Sequence, residues 1–177
     1  MPSGTSHDAI TVLLGAPVAV LAYAVTQDMP TAVIATVAFI FAGVMFGPDL
    51  DTKSKQYSRW GPLRMLWIPY RTVFRHRSRW SHGLIFGTLF RVVYFLGAVS
   101  IIAFLAFAAY SYATDGSFPN FITFARGWES IGATAGADST IELLLTILTG
   151  MWLGAASHTL TDISVTYIKT GRVDGLF

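Results

Sequence analysis

Two stretches without a charged residue constrain this chain more than anything else in it: residues 9 to 27, between Asp8 and Asp28, and residues 29 to 48, between Asp28 and Asp49. A helix rises about 1.5 Å per residue, so about 20 apolar residues cross the ~30 Å hydrocarbon layer of a bilayer. Two more runs follow: Gly83 to Ala113 is interrupted only by Arg91, and Ile141 to Ala156 only by Glu142. The composition, 53% hydrophobic and 12% charged, leaves too little polar surface for a water-soluble fold, in which about a quarter of residues are charged. Disorder is excluded on the same grounds. The expected fold is all-α, a polytopic membrane helical bundle in one domain covering 1–177, with four transmembrane spans at about 9–27, 29–47, 83–110 and 141–160.

The first run is not read as a signal peptide. It lacks a positive leading region, carries His7 and Asp8 upstream, and ends in Thr26-Gln27-Asp28 rather than in a small-residue cleavage site. With no cysteine in the chain, disulfides and thiolate metal sites are excluded.

Topology follows from the cations. Eight of the twelve Lys and Arg (Lys53, Lys55, Arg59, Arg64, Arg71, Arg75, Arg77 and Arg79) fall in an acid-free stretch of loop 48–82. The positive-inside rule makes that loop cytoplasmic, with both termini, and makes the 111–140 loop external. The expected location is a membrane that the chain crosses several times, with that loop on its cytoplasmic side. Within the basic loop, Leu63 to Phe74 mixes aromatics with arginines, Arg64, Arg71 and Arg75 sharing one face at helical spacing, and reads as an interfacial segment. Its expected partners are the bilayer and anionic lipid head groups rather than nucleic acid. Ser139 and Glu142 form a capping box expected to open the fourth helix, and Thr5 to Asp8 fits a capping pattern at the first.

The rare chemistry collects on one level of this map. His7 precedes span one, Asp49 and Asp51 follow span two, and His76 and His82 precede span three. Ile141 to His158 covers about 26 Å of helix, so His158 also arrives at the cytoplasmic side. His158 and Asp162 are four apart, on one face of a continuing helix, where both reach a single cation. Imidazole with carboxylate and no thiolate suits a divalent ion, Zn²⁺ first, with Mn²⁺ and Fe²⁺ as alternatives. Arg91 is an intramembrane charge without an assigned role.

These residues carry a resemblance. Met1-Pro-Ser-Gly with His7-Asp8, Gly47-Pro-Asp-Leu-Asp51, His76-Arg-Ser-Arg-Trp-Ser-His82-Gly83 and Ser157-His158-Thr-Leu-Thr-Asp162 together resemble the bacterial uncharacterised metal-binding membrane proteins related to the inner-membrane metal-dependent hydrolases. In those hydrolases a histidine follows the second Asp, where this chain has Thr52, and one residue fewer separates the two loop histidines. The order of His and Asp is also similar, distantly, to the helical zinc phospholipase C group, which cleaves phosphate esters.

The resemblance and the residues together lead to an expected metal-dependent hydrolase acting on a phosphoester, such as a lipid head group. His7, Asp51, His82, His158 and Asp162 are the expected ligands, with His76 a further candidate. Asp49 is expected to orient or deprotonate water, and Arg75, Arg77 and Arg79 to bind the anionic substrate. The alternative is a non-catalytic metal-binding protein: a sensor, buffer or transport subunit.

Overall fold

The computed structural model describes residues 3–74, 78–83, 85–127 and 137–171, without the side chains of residues 79 and 137–140. The described chain is all-helical: α1 (Gly4–Thr26), α2 (Met29–Met45), a 3-10 turn (Pro48–Asp51), α3 (Lys55–Arg59), a second 3-10 segment (Gly61–Trp67), α4 (Ile68–Val73), α5 (Arg79–His82), α6 (Phe86–Asp115), a short α7 over 121–127, and α8 (Ala137–Thr170). Four of the helices are long and apolar enough to cross a membrane, in α1, α2, α6 and α8.

The hairpin between α1 and α2 is closed by local chemistry. Gln27 takes the left-handed conformation, φ 52°, and its N–H returns to the carbonyl of Tyr23 at 2.8 Å. Asp28 then caps α2, its carboxylate accepting from the Thr31 N–H at 2.9 Å, with Pro30 in the first turn. Hydrogen bonds from Thr31 hold the Asp28 carboxyl below its ordinary pKa.

The chain divides into two compact units, Met1–Val92 with Leu145–Phe177, and Val93–Leu144. In the first, small residues set how closely helices approach. A Cβ on Gly43 would overlap Thr11 of α1, and a Cβ on Gly150 or Gly154 would collide with the backbone carbonyl of Ala35 or Phe39 on α2. Gly150-Met-Trp-Leu-Gly154 is a small-xxx-small motif that brings two helix backbones into contact.

The segment expected to lie at an interface is in part a core. Phe46, Trp67 and Tyr70 are fully buried. Trp67 meets Phe46 and Trp60 edge-on, each at 5.3 Å, and Tyr70 at 5.7 Å. The Trp60 indole N–H donates to the Met45 carbonyl at 2.9 Å. Large aromatic surfaces gain more from mutual edge-to-face packing than from a half-wet boundary, so the loop folds inward around Trp67. Leu63, Met65, Ile68 and Val73 stay outward. Arg71 does not line up with Arg64 on a free face; its guanidinium lies 4.6 Å above the Tyr57 ring.

The second unit packs by aromatic contact as well. Phe104 meets Phe124 at 5.3 Å and Phe121 at 6.1 Å, and Tyr112 stacks on Phe118 at 4.8 Å.

Two expected caps are corrected. Ser3, not Thr5, caps α1, accepting from the Ser6 N–H at 3.2 Å. Helix α8 begins at Ala137, so Ser139 is its third residue rather than the one that precedes it, and the Ser139–Glu142 pair does not open it.

Candidate metal centre

Three helices and one turn deliver the site. His7 lies on the second turn of α1, Asp49 and Asp51 sit in the Pro48–Asp51 turn that α2 feeds into, and His158 and Asp162 share a face of α8. Gly154, one turn before His158, lets α8 lie directly on α2, so the level of His158 along the bundle is set by a backbone contact.

His7, His158 and Asp162 are all buried, and one ligand atom from each lies within 4.8 Å of the others. The two imidazoles stack with centroids 3.9 Å apart and planes 11° from parallel. Asp162 spans them: Oδ1 is 3.2 Å from Nε2 of His7, and Oδ2 is 3.8 Å from Nε2 of His158. Asp49 approaches the same His158 nitrogen, its Oδ2 3.5 Å away.

These separations decide what the cluster suits. An N–H···O hydrogen bond closes to about 2.7–3.2 Å. Two ligands each ~2.1 Å from one tetrahedral cation stand about 3.4 Å apart. The His158 contacts, 3.5 and 3.8 Å, lie just above the second value. Among the described residues, Nδ1 of His7 has no hydrogen-bond partner, an unmet demand that buried polar atoms rarely tolerate. The donor set, neutral imidazole with carboxylate, therefore fits a divalent cation held by His7, His158 and Asp162.

Exposure gives the site a direction. The side chains of His7, His158 and Asp162 are 5%, 3% and 8% exposed, whereas that of Asp49 is 30% exposed. Water reaches the cluster past Asp49.

Of the other expected site residues, His82 closes α5 and Asp51 has a fully buried side chain beside it, Oδ2 3.5 Å from Nδ1 of His82. Asp51 is thus brought to His82 and not into the His7, His158 and Asp162 group. His76, Arg75 and Arg77 lie outside the described residues; Arg79 opens α5, its side chain likewise outside them. Asp8 is engaged by Lys55 at 3.1 Å and by Arg59, tying α1 to α3. The same carboxylate holds the Arg59 guanidinium above its ordinary pKa, against the opposing effect of burial.

Two supporting residues escaped the sequence reading. Gln56, buried on α3, donates its amide N–H to the Gly43 carbonyl at 2.9 Å and stands 3.3 Å from Nδ1 of His158. It fits because Gly47 has no Cβ to occupy the space of its amide. Arg91, unassigned before, is 1% exposed and acts as a brace: Nη1 donates to the Ser81 carbonyl at 2.6 Å and Nη2 to the Thr88 hydroxyl at 3.1 Å. Burial pushes the nearby Tyr70 phenol above its ordinary pKa, with Arg91 opposing. The Gly150–Gly154 spacing was a usable sequence signal; for a lone glutamine in a basic loop there was none.

A family profile described as uncharacterized metal-binding protein (DUF2227) matches residues 2–172, so the chain belongs to that family. No curated protein and no solved structure matches it.

Proposed function

We propose that this member of the metal-binding family is a membrane-embedded, metal-dependent hydrolase acting on a phosphoester, with its site at the cytoplasmic face of the bacterial inner membrane. The observation that carries the reading is the unequal exposure of the centre: three buried ligands beside one partly exposed carboxylate, Asp49. Four closed protein ligands mark structural sites, whereas three ligands with an open position mark catalytic ones.

The membrane setting is supported by the four long apolar helices and by large apolar side chains exposed among the described residues: Val25 is 83% exposed and Ile168 80%. The basic loop supports the orientation, and outward Leu63, Met65, Ile68 and Val73 beside Arg64 support contact with anionic head groups.

In this reading His7, His158 and Asp162 hold the cation, preferably Zn²⁺. When bound it supplies Lewis acidity, polarising a phosphoryl oxygen and acidifying water. Asp49 accepts a proton from water entering on its exposed side and aims that water inward. Gln56 and Gly43 hold the His158 ring in position. Arg75, Arg77 and Arg79 attract the anionic substrate and balance charge on its oxygens.

The test is hydrolysis of phosphodiester and phospholipid substrates by detergent-purified protein with Zn²⁺ or Mn²⁺ added. Turnover should appear with metal and drop sharply in Asp49→Asn, while the cation held by His7, His158 and Asp162 stays bound in that variant. Full metal content without turnover on any phosphoester would instead establish a metal-holding protein.

A further inference from the structure

Asp49 faces two imidazoles, not one. Its Oδ2 stands 3.5 Å from Nε2 of His158, and its Oδ1 stands 3.6 Å from Nε2 of His82. One carboxylate therefore presents one oxygen to a ring on α8 and the other to a ring on α5. Both separations exceed a hydrogen bond and match the ~3.4 Å expected between two ligands of one tetrahedral ion.

The His82 side of this pair is built and fixed. Nδ1 of His82 is 3.0 Å from the Ser81 hydroxyl and faces the buried carboxylate of Asp51 at 3.5 Å. Nδ1 is turned to an oxygen-rich wall, and Nε2 is the nitrogen aimed at Asp49. A carboxylate behind a ligating imidazole orients the ring and raises its basicity. Arg91 grips the carbonyl of Ser81, and the Thr159 hydroxyl donates to the carbonyl of His82 at 3.4 Å. That last bond ties His82 to the residue next to His158.

Asp49 is equally constrained. Its own carbonyl accepts from the Thr52 N–H at 3.2 Å and from the Ser54 hydroxyl at 2.7 Å. These bonds lock the turn that carries the carboxylate.

Charge completes the argument. Asp49, Asp51 and Asp162 contribute three negative charges and buried Arg91 one positive, so with neutral imidazoles one divalent ion balances the cluster. A second ion leaves a surplus of positive charge that suits an anionic ligand bridging the two.

We infer that the centre takes two divalent cations, the second held by Nε2 of His82 and Oδ1 of Asp49, with the Asp49 carboxylate bridging it to the ion at His7, His158 and Asp162. The second cation has only two ligands from the described residues and binds more weakly than the first. Its remaining positions are open to water or to a phosphate oxygen. The inference does not depend on which bond, if any, is cleaved, because it is read by counting metal.

The experiment is a Mn²⁺ titration of the full chain in detergent, with bound metal counted by elemental analysis and the spin state read by electron paramagnetic resonance, with and without inorganic phosphate. The wild type should saturate at two equivalents per chain, the second at least tenfold weaker, with the exchange-coupled signal of a bridged pair. His82→Ala should keep one equivalent and lose the coupled signal; His82→Gln, closer in volume, should do the same if the alanine variant folds poorly. Saturation of the wild type at one equivalent, with phosphate present, overturns the inference. So does a His82 variant that retains two equivalents and the coupled signal.

Discussion

The same three helices, α1, α2 and α8, build two unlike ends of one compact unit. At one end they bury His7, His158 and Asp162 against the turn that carries Asp49. At the other they part around a groove of about 380 Å³ lined by Val18, Leu21, Val25, Leu145 and Leu153 among others. Thr11 against Gly43, and Gly154 against the Phe39 carbonyl, mark where the helices close up. Around the groove branched aliphatic side chains face each other, while Gly150 of α8 still touches the backbone of Ala35 on α2. Close packing at the polar end holds ligand atoms at fixed separations, and the apolar end carries no such demand.

The contrast is broken most severely at the ligands. His158→Ala or Asp162→Asn should strip the strongly held cation from the purified protein, measured by elemental analysis, while Ala22→Leu in the groove leaves metal content untouched. Next comes the crossing itself. Gly154→Val forces α8 off α2, and overpacking of this kind costs about 1–3 kcal/mol. A lower melting temperature and lost metal should appear together; loss of one without the other would disconnect the crossing from the site.

Gln56→Leu probes support without touching a ligand. Removing a group that orients a ligating imidazole lowers metal affinity about 10–100-fold, so a competition titration should show weaker binding at nearly unchanged melting temperature. Smaller still is Asp8→Asn, which releases Lys55 and Arg59. These side chains are partly exposed, and such pairs contribute about 0–1 kcal/mol. Its effect on stability should shrink as salt is added. Smallest of all is Ala22→Leu itself, expected to change stability by about 0.5 kcal/mol or less, since the groove has room for it.

Much of the fold was legible before any coordinates. The uncharged runs lead to helices because run length is a one-dimensional property, and the His158–Asp162 pair shares a face because i, i+4 spacing puts it there. The same reasoning brought His7, Asp49 and His82 to one end by counting spans. It stopped at contacts. Trp60, Trp67 and Tyr70 read as an interfacial belt because aromatics beside arginines look alike in a belt and in a core. Their burial depends on Phe46 arriving from α2, which periodicity does not reveal.

The sequence by itself determined that this chain is helical and apolar, that it has no thiolates, and which side chains are available to hold a cation. Each of these follows from residue identity and near-neighbour spacing. Only the tertiary structure decided that His7 stacks on His158, that Asp162 spans the two rings, and that the two oxygens of Asp49 face different imidazoles. Those facts turn on distances of a few tenths of an ångström between residues up to 155 positions apart. Such distances are set by where Gly154 lets two backbones touch and where Arg91 holds Ser81, and neither is written in local pattern.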